Sequence, residues 1–213
     1  MAEKRRIRVI ATALVVAGVL AGCAPSQSGA SPTPTSTGEP TSTATRTPAA
    51  VQDPEDPTSW VVDAGGVGPI RIGGNLAETL AELPASWQND PESCAWMASW
   101  TADDSSYGLF FVRGTESEKA PIAEISVYTA AETPSTLHSP TTPEGLGIGA
   151  TKQEVLAAYP DAEEGTAQIG GGSWIRLAET AEAHVFFEFR EGMDVASDIV
   201  VTTRSEPSYE VCG

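Results

Sequence analysis

The chain has 213 residues, with 12 Lys and Arg against 29 Asp and Glu, a formal net charge of −17 and a pI of about 4.3. So acidic a chain is unsuited to nucleic acid, because phosphate binding needs clustered cations that release counterions. Hydrophobic residues make up 40% of it, with five Trp, five Phe and four Tyr, which is enough for a real core and excludes a wholly disordered polymer.

Lys4, Arg5, Arg6 and Arg8 open the chain, and Val9 to Leu20 follows as a 12-residue run in which only Thr12 is polar. A run this short cannot span about 30 Å of hydrocarbon as a helix, and it matches the apolar region of a signal peptide. The next residues, Leu20-Ala21-Gly22-Cys23, resemble the lipobox of bacterial lipoproteins. That resemblance implies that residues 1–22 are removed and that Cys23 carries a diacylglycerol anchoring the chain to the extracytoplasmic face of the cell membrane. The competing reading is an ordinary secretory signal with an incidental Cys. Arg5-Arg6 hints at twin-arginine export without the rest of that motif, so the route stays open. Removal of residues 1–22 leaves eight cations and 28 anions, a net charge of −20. Anionic headgroups repel such a chain, so the acyl chains must hold it, each buried methylene contributing about 0.8 kcal/mol.

Residues 24–58 hold 13 Ser and Thr and seven Pro, with Val51 as the one large apolar residue. This composition has no surface to bury against chain entropy and predicts a disordered tether, over residues 23–58 with the anchor Cys included. Folding is expected to begin near Ser59.

Two stretches then recur at an offset of 76 residues. Ile72-Gly73-Gly74-Asn75-Leu76-Ala77-Glu78-Thr79-Leu80-Ala81-Glu82-Leu83-Pro84 lies over the stretch from Ile148 to Pro160 without a gap, six of the 13 positions being identical. Each is read as a short helix: Asn75 and Thr151 are N-caps, Glu78 and Glu154 stand where a capping box needs them, and Pro84 and Pro160 stop the helix after about two turns. Leu76, Leu80 and Leu83, and Val155, Leu156 and Tyr159, give each helix an apolar stripe. Strands are predicted at 95–101, 107–113 and 122–128 after the first helix, and at 173–177, 183–190 and 198–203 after the second. Leu109-Phe110-Phe111 falls on Val185-Phe186-Phe187 at the same offset, and Glu124-Ile125-Ser126-Val127 on Asp198-Ile199-Val200-Val201 at an offset of 74. The expected fold is therefore α+β, two tandem repeats over residues 59–134 and 135–213, each a short helix followed by an antiparallel meander.

The pattern Ile-Gly-x-[Asn/Thr]-x-x-Glu-[Thr/Val]-Leu resembles the repeat of the beta-lactamase inhibitor protein and of the SmpA/OmlA-type outer-membrane assembly lipoproteins, and is similar to lipoproteins of high-GC Gram-positive bacteria. These families usually place Met after the Gly, where Gly74 and Ala150 stand here. The resemblance covers about 15 residues of each unit and implies a fold more than a function.

With Cys23 assigned to lipid, Cys94 and Cys212 remain, and in an exported chain they are expected to form a disulfide closing a loop of 119 residues. No second Cys or His stands at zinc spacing from either, so no metal is expected. The two histidines, His138 and His184, are read as surface residues, and Asp53 to Asp56, Asp103-Asp104 and Asp161 to Glu164 as solvated turns. No catalytic elbow, zinc motif, phosphate loop or dinucleotide fingerprint is present, and Gly170-Gly171-Gly172 reads as a loop, so no cofactor is expected.

Aromatic surface is what remains. If Phe111 and Phe187 face the helices, then Phe110 and Phe186 face away, where they join Trp96, Trp100 and Trp174 in a concave patch suited to a protein or an apolar ligand. The alternative is that loops cover both faces and the Phe pair is core. The resulting expectation is a non-catalytic, lipid-anchored binding module that contacts an envelope or secreted protein. The competing expectation is a cell-wall hydrolase with two carboxyls converging in a cleft, at least one of raised pKa.

Overall fold

The computed structural model describes residues 52–178 and 182–212. The basic N-terminal segment, the lipobox with Cys23 and most of the Ser/Thr/Pro-rich stretch lie outside the described residues. The described residues open on a cap: the Asp56 carboxylate accepts from the Thr58 N–H and starts a single 3-10 turn over Pro57–Ser59. Trp60 follows, fully buried, its indole N–H donating to the Asp53 carbonyl at 2.7 Å. Strands β1 (Val62–Asp63), β2 (Gly66–Val67) and β3 (Ile70–Arg71) then form a small antiparallel meander. Strands of two residues are too short to show alternation, which is why no sequence pattern announces them.

Helix α1 (Leu76–Glu82) leads into β4 (Met97–Thr101), β5 (Gly108–Arg113) and β6 (Ile122–Tyr128). Helix α2 (Lys152–Ala158) leads into β7 (Glu163–Thr166), β8 (Ser173–Arg176), β9 (His184–Phe189) and β10 (Asp198–Thr202). The fold is α+β. Its main sheet has seven antiparallel strands in the order β4-β5-β6-β10-β9-β8-β7. One expectation is corrected here: Glu163 and Glu164 do not lie in a solvated turn but open edge strand β7, drawn out by pairing with β8, where Glu163 meets Arg176 in an ion pair.

Both helices are held at their N-termini as their residues dictate. The Asn75 side chain accepts from the N–H groups of Ala77 and Glu78. Thr151 and Glu154 close a reciprocal capping box, and the bonds from Thr151 hold the Glu154 carboxyl below its usual range. The hydrogen bonds around the two helix starts correspond one to one. Gly73 N–H donates to the Ile122 carbonyl and Ile122 N–H to the Gly74 carbonyl; Gly149 N–H donates to Ala196 and Ala196 N–H to Ala150. Gly73 and Gly149 carry φ of 82° and 83°, a left-handed conformation that favours glycine.

The core occupies one face of the main sheet. Leu109 and Phe111 of β5, Ile125 and Val127 of β6, Ile199 and Val201 of β10, and Val185 and Phe187 of β9 alternate onto it, and Leu76, Val155 and the β1–β3 meander cover them. A chain of rings closes one end: Trp60 stacks on Trp87, Trp87 on Trp100, and Trp87 tilts against Phe111 at 5.5 Å.

Candidate binding cavity on the second face of the sheet

Strand alternation sends every other residue to the opposite face, and the ladder registers set these in rows. One row runs Gly165, Trp174, Glu188, Asp198, Tyr128 and Gly108 across β7, β8, β9, β10, β6 and β5. The next runs Arg176, Phe186, Val200, Ser126, Phe110 and Ser99, and a third holds His184, Thr202, Glu124, Val112 and Met97. A side chain placed on Gly165 would run into the Trp174 ring, and one on Gly108 into the Tyr128 ring, so each aromatic lies folded over its cross-strand glycine. The neighbours Glu188 and Asp198 are left between these two rings.

The C-terminal residues 203–212 cross this face. The disulfide between Cys94 and Cys212, with Cα atoms 5.5 Å apart, holds their end, as the cysteine count predicts. The Trp96 indole N–H donates to the Val211 carbonyl at 2.7 Å, and the Ser208 hydroxyl donates to the Glu124 carboxyl at 3.0 Å. Between the strap, the β7–β8 loop and the sheet lies a cavity of about 720 Å³, with Ser126 and Val200 in its floor and Phe110, Tyr128, Ile169 and Tyr209 around it. Glu124, Glu188 and Asp198 are among its lining residues.

The electrostatics of the three carboxyls differ. Glu124 is almost fully buried, which pushes its pKa up, while the bonds from Thr202 and Ser208 oppose the push. Burial likewise raises Asp198, against a hydrogen bond from Ser197 and the charge of Arg190. Glu188 is pushed up to about 8, first by burial and then by Asp198, Glu124 and Glu206. Among the described residues no hydrogen bond or ion pair reaches its carboxyl. The nearby cation, Arg190, spends two N–H groups on the carbonyls of Thr129 and Ala131. Among the described residues no group of three or more His, Cys, Asp or Glu could hold a metal ion. Nor is any described helix long and apolar enough to cross a membrane.

The aromatic patch expected from the sequence is corrected at four of its five residues. Phe186 is fully buried, edge-on to Trp174 and His184, because the second face is covered where it sits. Trp100 lies on the opposite face, packed on Trp87 and Tyr107, since it shares the parity of core residue Ala98. It borders a separate hollow of about 450 Å³ that includes Asp103, Asp104 and the exposed His138. Trp96 is half-buried and serves the strap. Trp174 is half-buried, with its indole N–H unpaired. Of the five aromatics only Phe110 lines the cavity, 5.8 Å from Tyr128 ring to ring.

Glu124, Glu188, Asp198, Tyr128 and Tyr209 are the lining residues that the sequence reading passed over. A signal existed, because each of the three acids stands inside or at the start of an apolar strand, where carboxylates are depleted. Compared with known proteins, the chain matches no family model, no curated protein and no solved structure.

Proposed function

We propose that this chain is a lipid-anchored, extracytoplasmic and non-catalytic binding module, tethered to the cell membrane through Cys23, which contacts an envelope or secreted protein with the second face of its sheet. The observation that carries the reading is the cavity of about 720 Å³ in which aromatic rings and carboxyls converge over a rigid, disulfide-braced sheet. The lipobox-like Leu20-Ala21-Gly22-Cys23 and the Pro-rich stretch behind it supply the anchor and the spacer. A tether of 30 or more residues lets such a domain sample a shell several nanometres deep around its anchor.

The same reading takes the body as two tandem helix-plus-meander units whose last strands, β6 and β10, pair at the centre of the sheet. The matched hydrogen bonds at the two helix starts support it, as does the mirrored strand order β4-β5-β6 and β10-β9-β8. A superposition of residues 72–128 on 148–202 that failed to bring the helices and three strands together would sink the duplication.

Two measurements test the function. Replacement of Cys23 by Ser is expected to move the protein from the membrane fraction to the soluble one; unchanged fractionation rejects the anchor. A photo-crosslinking residue at Ile169, 66% exposed at the cavity rim, is expected to give one discrete envelope-protein adduct that a crosslinker at exposed Glu92 does not give. The same adducts from both sites, or none, reject the face.

A second reading, a cell-wall hydrolase, is favoured by one observation: Glu188 and Asp198 are adjacent acids in a cleft, one of them strongly raised. Their geometry argues against it. Direct cross-strand neighbours project side by side from one surface, whereas glycoside hydrolysis sets its two carboxyls on either side of the scissile bond. Release of reducing ends from purified peptidoglycan by the wild type but not by Glu188→Gln would revive it.

A further inference from the structure

Resting on that binding role, we propose that the cavity receives a cationic side chain, the guanidinium of an Arg or the ammonium of a Lys on the partner protein, set between the Glu188–Asp198 pair and the ring of Tyr128.

Charge complementarity selects this occupant. The groups facing Glu188 are Asp198 on β10, Glu124 and Tyr128 on β6, Arg190 and Glu191 beyond the end of β9, and Glu206 and Tyr209 on the C-terminal strap. Arg190 alone among them is cationic, and backbone carbonyls occupy its guanidinium. An anionic ligand would meet four further carboxyls, and a neutral apolar one would leave Glu188 without a partner. A cation meets both the carboxyls and the faces of Phe110 and Tyr128, a combination that attracts cations more strongly as water leaves.

Proton release follows from the raised pKa of Glu188. A carboxyl pushed up to about 8 carries its proton at neutral pH. When a guanidinium arrives, the O–H bond of Glu188 breaks, the proton goes to buffer, and the new carboxylate accepts N–H bonds from the ligand. Charge balances, one cation bound for one proton lost. Binding must therefore strengthen as pH rises through this range, the reverse of what a histidine on the ligand would produce.

The test uses the full chain in detergent micelles, with the peptide Gly-Ala-Arg-Ala-Gly and its citrulline counterpart, which keeps the shape and loses the charge. Expected are amide shifts on β6, β9 and β10 with the Arg peptide and none with citrulline, and affinity at least tenfold higher at pH 9 than at pH 6. Calorimetry in two buffers of different ionisation enthalpy should show about one proton released at pH 7. In Glu188→Gln the pH dependence between 6 and 9 should flatten, while exposed Glu92→Gln should behave as wild type. Equal binding of both peptides, or an unaltered pH profile in Glu188→Gln, overturns the proposal, because attraction by the net negative surface would produce just that. If the Arg peptide binds as expected but crosslinking from Ile169 yields no partner, the protein-contact role fails while the cation site stands.

Discussion

Glu188 sits inside an apolar strand with Asp198 directly opposite, and the same burial that makes it a binding group makes it a liability for folding. Its pKa is about 8 in the folded chain against about 4.5 unfolded, so the native state binds the extra proton between those values. Stability contributed by the protonated form is present below pH 4.5 and is lost as pH rises through 8. Replacement by Gln keeps the shape and removes the titration. Glu188→Gln is therefore expected to match wild type in urea unfolding at pH 5 and to exceed it by up to about 4 kcal/mol at pH 9. A variant less stable than wild type at pH 9 would mean that the carboxylate has a partner in the native fold.

At the scale of elements, the two helix starts use the same device in different surroundings. Gly73 and Gly149 share a left-handed backbone, but a Cβ at Gly73 meets nothing within 4 Å, while at Gly149 it would lie 2.2 Å from the backbone of Ser135 and Thr136. Gly73→Ala then carries only conformational strain, on the order of 1 kcal/mol, and Gly149→Ala adds a backbone clash that should raise the loss to roughly 3 kcal/mol or more. Thermal unfolding of the two variants checks this; equal losses would show that the segment around Ser135 yields freely. The strand lengths have a simple origin. Ile122–Tyr128 is where its apolar alternation predicts it, and β4 loses Ala95 and Trp96 from the predicted stretch because Trp96 turns toward the strap.

For the molecule as a whole, the disulfide joins a residue that precedes β4 to the last described one, with a sequence separation of 118. The chain-entropy treatment assigns a closed loop of that size about 4 to 5 kcal/mol. Reduction, or Cys94→Ser with Cys212→Ser, is expected to lower the urea midpoint by a matching amount and to free residues 203–212. Deuterium exchange should then rise at Ser208, whose N–H bonds to Glu124, and stay low in β9 and β10. If Ser208 remains protected after reduction, the bonds to Glu124 and Trp96 hold the strap without the bridge.

The sequence by itself determined the helix starts, through cap residues and the prolines behind them, the approximate ranges of six of the strands, through the turn residues that bound them, and the cysteine pairing, through count. These are local or compositional signals, and each acts within a few residues of its cause. Only the tertiary structure decided what lies over each face of the sheet. Alternation told that Phe110 and Phe186 share a face, yet Phe186 is buried and Phe110 lines a cavity because an aperiodic strap and a loop cover that face unevenly. Trp100 joined the core through the parity of β4, which the sequence left ambiguous between Met97 and Thr101. The acid pair emerged only from register: Glu188 and Asp198 are ten residues apart in the chain and become neighbours when β9 and β10 align. Their raised pKa values arise from desolvation, which depends on everything packed around a group and on nothing in its own stretch of chain.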